Sequence, residues 1–281
     1  TLRVNFEGVL PPGVTAKDMA LALISEHGSV GGNSYAVEFA GSAVRALEIE
    51  ARLTLCNMAT EFSAVTGFIA PDEKTFEYLK GRDCAPLGAM WDQALQQWRE
   101  LRSDEGAQFD REITLNVGEL APMVTWGTSP QQAMPVTGRV PDAGVAGSSA
   151  EAHARALGYM GLETGQALAE LPIGAAFLGS CTNSRISDLR RAAAILRGRR
   201  VADGVRAICV PGSMSVKRQA EAEGLDVVFR DAGFEWREAG CSMCFFAGGE
   251  SFGHRERVIS STNRNFESRQ GPETRTHIAS P

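Results

Sequence analysis

The stretch GSCTNSR (179–185) carries an isolated thiol, Cys181, and far along the chain AGCSMCFF carries a C-x-x-C pair, Cys241 and Cys244. Thiolates are nucleophiles and metal ligands, so the first question is what these residues do together. They are too few for a closed tetrahedral zinc site unless His153, His254 or His277 joins them as a fourth ligand. A redox-active C-x-x-C opening a helix is a second reading, and it leaves Cys181 without a role. A cubane iron–sulfur cluster normally takes four thiolates; held by three, it keeps one iron free to act as a Lewis acid. A C-x-x-C alone does not choose among these readings. The remaining cysteines, Cys56, Cys84 and Cys209, sit singly in apolar or mixed segments and read as small buried hydrophobes.

The elements around the thiols follow a βα rhythm. IGAAFLGS (173–180) is a continuous small-apolar run, expected of a strand covered on both faces, and RISDLRRAAAILRG behind it reads as a helix ending at Gly198. VRAICVPGS then reads as a strand, SVKRQAEAEG as a helix and LDVVFRDAG as a further strand. Cys181 therefore falls at the carboxyl end of a parallel strand, where ligands collect in open α/β sheets. Thr182, Asn183 and Ser184 are the expected caps of the following helix, whose dipole favours a thiolate.

The front of the chain has the same character. Leu2 to Phe6 alternates like a strand, and Thr15 with Asp18 forms a capping signal ahead of MALALISEHG, a helix closed by Gly28. YAVEFAG and EITLNVG read as strands, and SAVRALEIEARL, DEKTFEYLKG and MWDQALQQWRELR as helices. From about 119 to 150 the chain is rich in Pro, Gly, Ser and Thr, which marks a linker or a long ordered loop. The expected organisation is α/β in two domains, 1–145 with its linker from about 119, and 146–281 with the cysteines.

The 281 residues are 43% apolar and 22% charged, the balance of a soluble globular protein. The net charge of −6 argues against nucleic-acid partners and anionic membranes. No apolar stretch approaches the roughly 20 residues that cross a bilayer. TLRVNFEG has no signal-peptide pattern, and the singly placed cysteines suit a reducing compartment, so the expectation is cytoplasmic. Both ends read as cut from a longer chain.

Larger strings carry more information. GSCTNSRISDLRRAA, VPGSMSVKRQAEAEGLD, AGFEWREAGCSMC, STNRNFESRQG and RTHIASP closely resemble the aconitase superfamily, and within it the large subunits of 3-isopropylmalate dehydratases. FEGVLPPGVTAKD, EFAGSAVRALEIEARLTLCNMATE, APDEKTFEYLKGR and VTWGTSP extend the resemblance through the first half. It implies α/β domains of three-layer type and a [4Fe-4S] cluster held by Cys181, Cys241 and Cys244. It also implies that Asn263, Arg264 and Arg269 bind substrate, the arginines by forking carboxylates, and that Asn57 and Glu61 belong to the catalytic apparatus. The implied activity is a hydro-lyase of leucine biosynthesis that interconverts 2-isopropylmalate and 3-isopropylmalate by dehydration and rehydration. The implied partners are a small hydroxy-acid substrate and a small subunit that brings the catalytic serine.

The sequence departs from the family pattern in several places. The D-H-x-x-P, G-D-x-H-T and Y-G-x-G-S-S-R-E motifs have no counterpart, so the isolated chain is expected to lack turnover, and a non-catalytic cluster-binding module is the alternative. Ser63 stands where a glycine is usual, and Ala51 to Cys56 reads ARLTLC in place of G-R-M-T-x-C. FFAGGESFGHRERVISS after the C-x-x-C pair leaves methyl- or dimethylmalate open as substrates.

Overall fold

The computed structural model describes residues 1–142, 149–246 and 249–281. Alternation of apolar residues puts Leu2, Val4 and Phe6 of β1 (Leu2–Glu7) on one face, all fully buried. Parallel pairing with β2 (Ala36–Ala40), β3 (Thr66–Phe68) and β4 (Arg111–Asn116) gives a sheet of order β3-β2-β1-β4. The crossovers carry α1 (Ala16–His27), α2 (Ser42–Ala46), α3 (Ile49–Met58), α4 (Glu73–Leu79) and α5 (Ala89–Arg99). The expected capping box of α1 is present: Asp18 Oδ2 accepts from the Thr15 backbone N–H at 2.7 Å, and Gly28 ends the helix at φ 78°.

SAVRALEIEARL is not one helix. The backbone turns extended at Leu47 and Glu48, separating α2 from α3. Side chains take up the carbonyls freed there: Lys74 Nζ donates to Ala46 O at 2.7 Å, and Arg52 donates to Leu47 O and Arg45 O at 3.1 Å each. Arg52 also forks the Asp72 carboxylate with two bonds of 2.7 Å, anchoring α3 to the start of α4.

The Pro- and Gly-rich segment after 119 contains a small antiparallel hairpin, β5 (Met123–Thr125) and β6 (Ala133–Pro135), with Trp126 buried behind it. The expected domain boundary near 145 lies outside the described residues. Beyond it, α6 (Ala150–Met160) leads into β7 (Ala175–Leu178), α7 (Ile186–Leu196), β8 (Arg206–Cys209), α8 (Met214–Ala222), α9 (Leu225–Asp231), β9 (Phe234–Trp236), β10 (Arg257–Ser260) and β11 (Arg275–Ile278). These strands form a second parallel sheet of order β11-β10-β7-β8-β9. Helices α7, α8 and α9 pack on one face through Cys209, Leu178 and Phe234, while Phe177, Ile208 and Val258 face Met243 and Phe252 on the other. The α/β class stands as expected.

LDVVFRDAG is a helix followed by a turn, not a strand. Leu225, Phe229 and Ala232 are buried and Val227 is exposed, a helical spacing, and the strand is the next segment, FEW. The hairpin and the last strand stitch the two sheets together. Ile278 enters the core of the first sheet, its N–H donates to Thr125 Oγ1 at 2.7 Å, and Ser280 Oγ donates to Asp18 Oδ2 at 2.8 Å. Among the described residues no helix is long and apolar enough to cross a membrane.

Candidate functional site

Because the second sheet is all parallel, every strand releases its loop at the same edge. Three of those loops carry the residues singled out by the sequence. The loop after β7 holds Cys181, the loop after β9 holds Cys241 and Cys244, and the loop after β10 holds Asn263, Arg264 and Arg269. The chain goes outward from β7 to β8 and β9, then crosses back to place β10 on the other side of β7. The Cys181 and Asn263 loops therefore part at the topological switch point, the usual ligand crevice of such sheets.

Local structure presents the thiols. Cys181 and Cys241 are exposed, Cys244 is half-buried, and none forms a disulfide. Ser180 at φ 89° and Ser242 at φ 40° hold left-handed backbone beside Cys181 and Cys241, a strain that persists only where surrounding contacts impose it. Met243, buried in the core beneath the sheet, fixes the C-x-x-C turn, and Gln270 Nε2 donates to its carbonyl at 2.5 Å. The expected capping by Thr182, Asn183 and Ser184 does not occur. Helix α7 starts later, at Ile186, with Arg185 as its N-cap, so Cys181 is not at the helix terminus.

The freed Thr182 and Asn183 side chains join the site to the first sheet. Asn57 Oδ1, at the end of α3, accepts from Thr182 Oγ1 and from Asn263 Nδ2, each at 2.8 Å. Asn263 Nδ2 also donates to Thr182 Oγ1 at 3.1 Å, closing a triangle beside Cys181. Asn263 Oδ1 is buried with no protein partner, an acceptor left unsatisfied. Glu61, in the turn after α3, receives Arg264 Nε at 3.0 and 3.1 Å. Burial raises the Glu61 carboxyl above the ordinary range, against the opposing pull of Arg264, Arg269 and Lys17. The structure thus brings together Asn57, Glu61, Asn263 and Arg264.

Arg269 stands over the rings of Phe245 and Phe266, 5.3 and 5.0 Å from their centroids, and its Nη2 lies 3.7 Å from Cys244 Sγ. Burial raises the Cys244 thiol, Arg269 lowers it, and the neighbouring Cys241 and Cys181 raise it again. Of the three remaining cysteines expected to be buried, Cys209 is, Cys56 is half-buried, and Cys84 is exposed on a loop. The histidines weighed as zinc ligands are engaged elsewhere. His153 packs edge-on against Trp126, His277 lies between Thr125 and Arg257, and His254 faces Glu273. Among the described residues no group of three or more His, Cys, Asp or Glu is arranged to hold a single metal ion. A cavity of about 550 Å³ between β2, α3 and α5 is lined by none of these site residues.

The sequence missed Lys17, Thr54 and the bridging role of Thr182. Lys17 is 0% exposed; its Nζ donates to Ser261 O at 2.6 Å, Thr262 O at 2.7 Å and Asn183 Oδ1 at 3.2 Å. Burial pushes its ammonium down to about 7, against Asp188, Asp18, Cys244 and Glu61, which raise it. The available signal was α1 itself. A helix apolar on nearly every side leaves a lysine in its first turn no route to solvent.

Known proteins resemble this chain along its length. A 3-isopropylmalate dehydratase large subunit from Cupriavidus necator is 66% identical over 246 residues, covering 87% of this chain and 92% of that protein. The 3-isopropylmalate dehydratase large subunit 1 of Bradyrhizobium diazoefficiens is 56% identical over 283 aligned positions, covering 100% of this chain, which spans 59% of that relative's length. A crystal structure of Thermococcus kodakaraensis aconitase X in its holo-form is 13% identical with a TM-score of 0.45, covering 96% of this chain and 52% of that one. The model of the aconitase family (aconitate hydratase) matches residues 1–281, every position from β1 to the end of the chain, and with the two relatives it places this protein in the aconitase family.

Proposed function

We propose that this chain is the core of the large subunit of a hydro-lyase that isomerises 2-isopropylmalate and 3-isopropylmalate by dehydration and rehydration in leucine biosynthesis. The observation that carries this reading is the meeting, at one sheet edge, of the two thiol-bearing loops with the Asn57–Thr182–Asn263 triangle and the Glu61–Arg264 pair. Its two α/β units, 1–145 and 146–281, are read as two domains that meet at this site.

The donor set fits a [4Fe-4S] cluster. A single ion draws all its donors to about 2.0–2.3 Å from one point, an arrangement these thiols do not have. A cube spreads its ligands over different irons, so accessible thiols carried on two separate loops at one sheet edge suit it. Cys181, Cys241 and Cys244 would hold it, with Arg269 beside Cys244 as a charge partner. When bound, the cluster supplies a Lewis acid at the iron left without a protein ligand.

The other steps belong to this chain's side chains and to a partner. Arg264 engages Glu61 through Nε alone, which leaves its two Nη groups to fork a substrate carboxylate. The triangle holds Asn263 through its Nδ2 and leaves its Oδ1 as an unpartnered acceptor, the kind of group that takes a substrate hydroxyl. Glu61, raised by burial, can hold a proton closer to neutrality than an exposed carboxyl. Phe245, Phe246 and Phe266 are exposed at the rim and suit a branched alkyl substituent, of which methyl- and dimethylmalate carry smaller versions. A small subunit supplies the serine that removes the proton next to a carboxylate.

Iron and acid-labile sulfide per chain after anaerobic reconstitution test the reading. About four of each are expected in the wild type, with a sharp loss in Cys181→Ser. Equal iron in both, or none in the wild type, overturns the cluster assignment. Turnover of isopropylmalate by this chain without a small subunit overturns the division of labour.

A further inference from the structure

Lys17 lies in the first turn of α1, away from the loops that bear the chemistry, yet it ends between them. All three ammonium donors are satisfied by uncharged oxygens: Ser261 O, Thr262 O and Asn183 Oδ1. Among the described residues no carboxylate pairs with it directly; Asp188, Asp18 and Glu61 act on it only at a distance. Asp18 is occupied by Thr15, Ser280 and the Met123 N–H, and Asp188 by the Arg185 N–H. Burying a charge without a directly paired counter-charge is expensive, and an apolar side chain of the same length would fill the space more cheaply. The position therefore asks for donors, not bulk.

The acceptors explain why. Ser261 and Thr262 immediately precede Asn263 and Arg264, and Asn183 lies in the loop of Cys181. These two loops leave the adjacent strands β10 and β7, whose backbone pairing ends with the Ser261 N–H donating to Phe177 O at 2.9 Å, so beyond that point side chains must set their separation. Asn183 Nδ2 in turn donates to Thr54 Oγ1 at 3.3 Å, one helical turn before Asn57 on α3. Ser261 Oγ adds a second link: it accepts from the Gly179 N–H at 2.9 Å and shares its one proton between Gly179 O at 2.9 Å and Asn183 O at 3.2 Å.

We propose that Lys17 is a positioning residue: a buried ammonium tie from α1 that fixes the distance between the Cys181 loop and the Asn263–Arg264 loop. The tie itself stands on the hydrogen bonds alone; its consequence for turnover rests on the proposed hydro-lyase reading.

The test uses hydrogen–deuterium exchange on the metal-free protein, followed by kinetics with the reconstituted enzyme and its small subunit. Lys17→Met keeps the length and removes the donors. Backbone amides of 179–185 and 261–264 should then exchange at least about tenfold faster, with β1 to β4 unchanged. Asn183→Leu removes one Lys17 acceptor together with the Thr54 contact, both on the Cys181 loop, and leaves the Lys17 bonds to 261 and 262, so faster exchange should be confined to 179–185; this variant decides the matter if Lys17→Met does not fold. In the loaded enzyme, Lys17→Met should keep wild-type iron while KM rises about tenfold, because Asn263 and Arg264 move with the carbonyls before them. Unchanged exchange in a folded Lys17→Met, or Asn183→Leu loosening both loops alike, overturns the tie. A wild type without iron or activity sinks the hydro-lyase reading and leaves the exchange result to judge Lys17 separately.

Discussion

His277 should give this fold a measurable sensitivity to mild acid. Its ring on β11 is 3% exposed, with Nδ1 at 2.7 Å from Thr125 O and Nε2 at 2.9 Å from Arg257 Nη1. A carbonyl only accepts and a guanidinium only donates, so Nδ1 carries the proton and Nε2 offers its lone pair. Protonating Nε2 would break the second bond and set two cations against each other in a buried place. Burial first, and Arg257 in addition, push the imidazole from its ordinary 6.5 down to about 4, while Thr125 works the other way. The unfolded chain therefore takes up this proton before the folded one does. The contribution to stability is complete above about pH 6.5, declines as pH falls, and is lost by about pH 4, at most about 3 kcal/mol. Between about pH 7.5 and about pH 5 the loss from this group alone comes to about 2 kcal/mol. Urea unfolding followed by circular dichroism, at those two pH values, on the wild type and His277→Asn, measures it. Asn keeps the donor to Thr125 but cannot titrate, and comparing pH dependences cancels the cost of its smaller size. The variant should lose about 2 kcal/mol less than the wild type across that interval. Equal losses in both proteins would falsify the assignment of a neutral, locked His277.

Two further outcomes follow from local geometry. Gly41 has φ +103°, and a Cβ there would lie 2.2 Å from the Phe6 carbonyl oxygen, so Gly41→Ala should lower urea stability by at least about 3 kcal/mol. Gly13, at φ +85° with only Pro122 Cγ 3.7 Å away, should cost about 1 kcal/mol on the same substitution; equal costs would remove the steric argument. Arg264→Ala takes away the main group lowering the Glu61 carboxyl, so its titration, followed by difference infrared spectroscopy, should move further up. A titration that stays in place would show that the pair is not formed in solution.

The chain showed its chemistry more openly than its supports. Cys181, Cys241 and Cys244 lie in loops between regular elements, where thiols stand out against apolar strands, whereas Asn263 and Arg264 were legible only through the family resemblance. The capping box at Thr15 was also legible, because it depends on side chains three positions apart in sequence. Two local readings failed for physical reasons. VVF in LDVVFRDAG is as apolar as a strand, and only the burial of Leu225, Phe229 and Ala232 around an exposed Val227 reveals a helix. The break at Leu47 is invisible locally, because Arg52 and Lys74 hold the freed carbonyls from other turns. Lys17 was hidden most completely. On composition it is an ordinary first-turn lysine, and its meaning comes from residues 166 and more positions away.

That asymmetry follows from how the site is built. Each strand-end loop can be assembled by its own sheet, but Asn57 and Glu61 belong to the other one, so the site exists only where the two are held in register. The bonds that hold them there are largely the site's own: Asn57 to Asn263 and Thr182, Glu61 to Arg264, Lys17 to the carbonyls of 261 and 262, and Thr54 to Asn183. Away from the site, the hairpin and last strand add a second seam at Thr125, Ile278 and Asp18. A change at one of these cross-links cannot be sorted cleanly into stability or function, since the same hydrogen bond serves both. The exchange and titration experiments above separate the two because they read single loops and single groups, where melting or turnover would read only the sum.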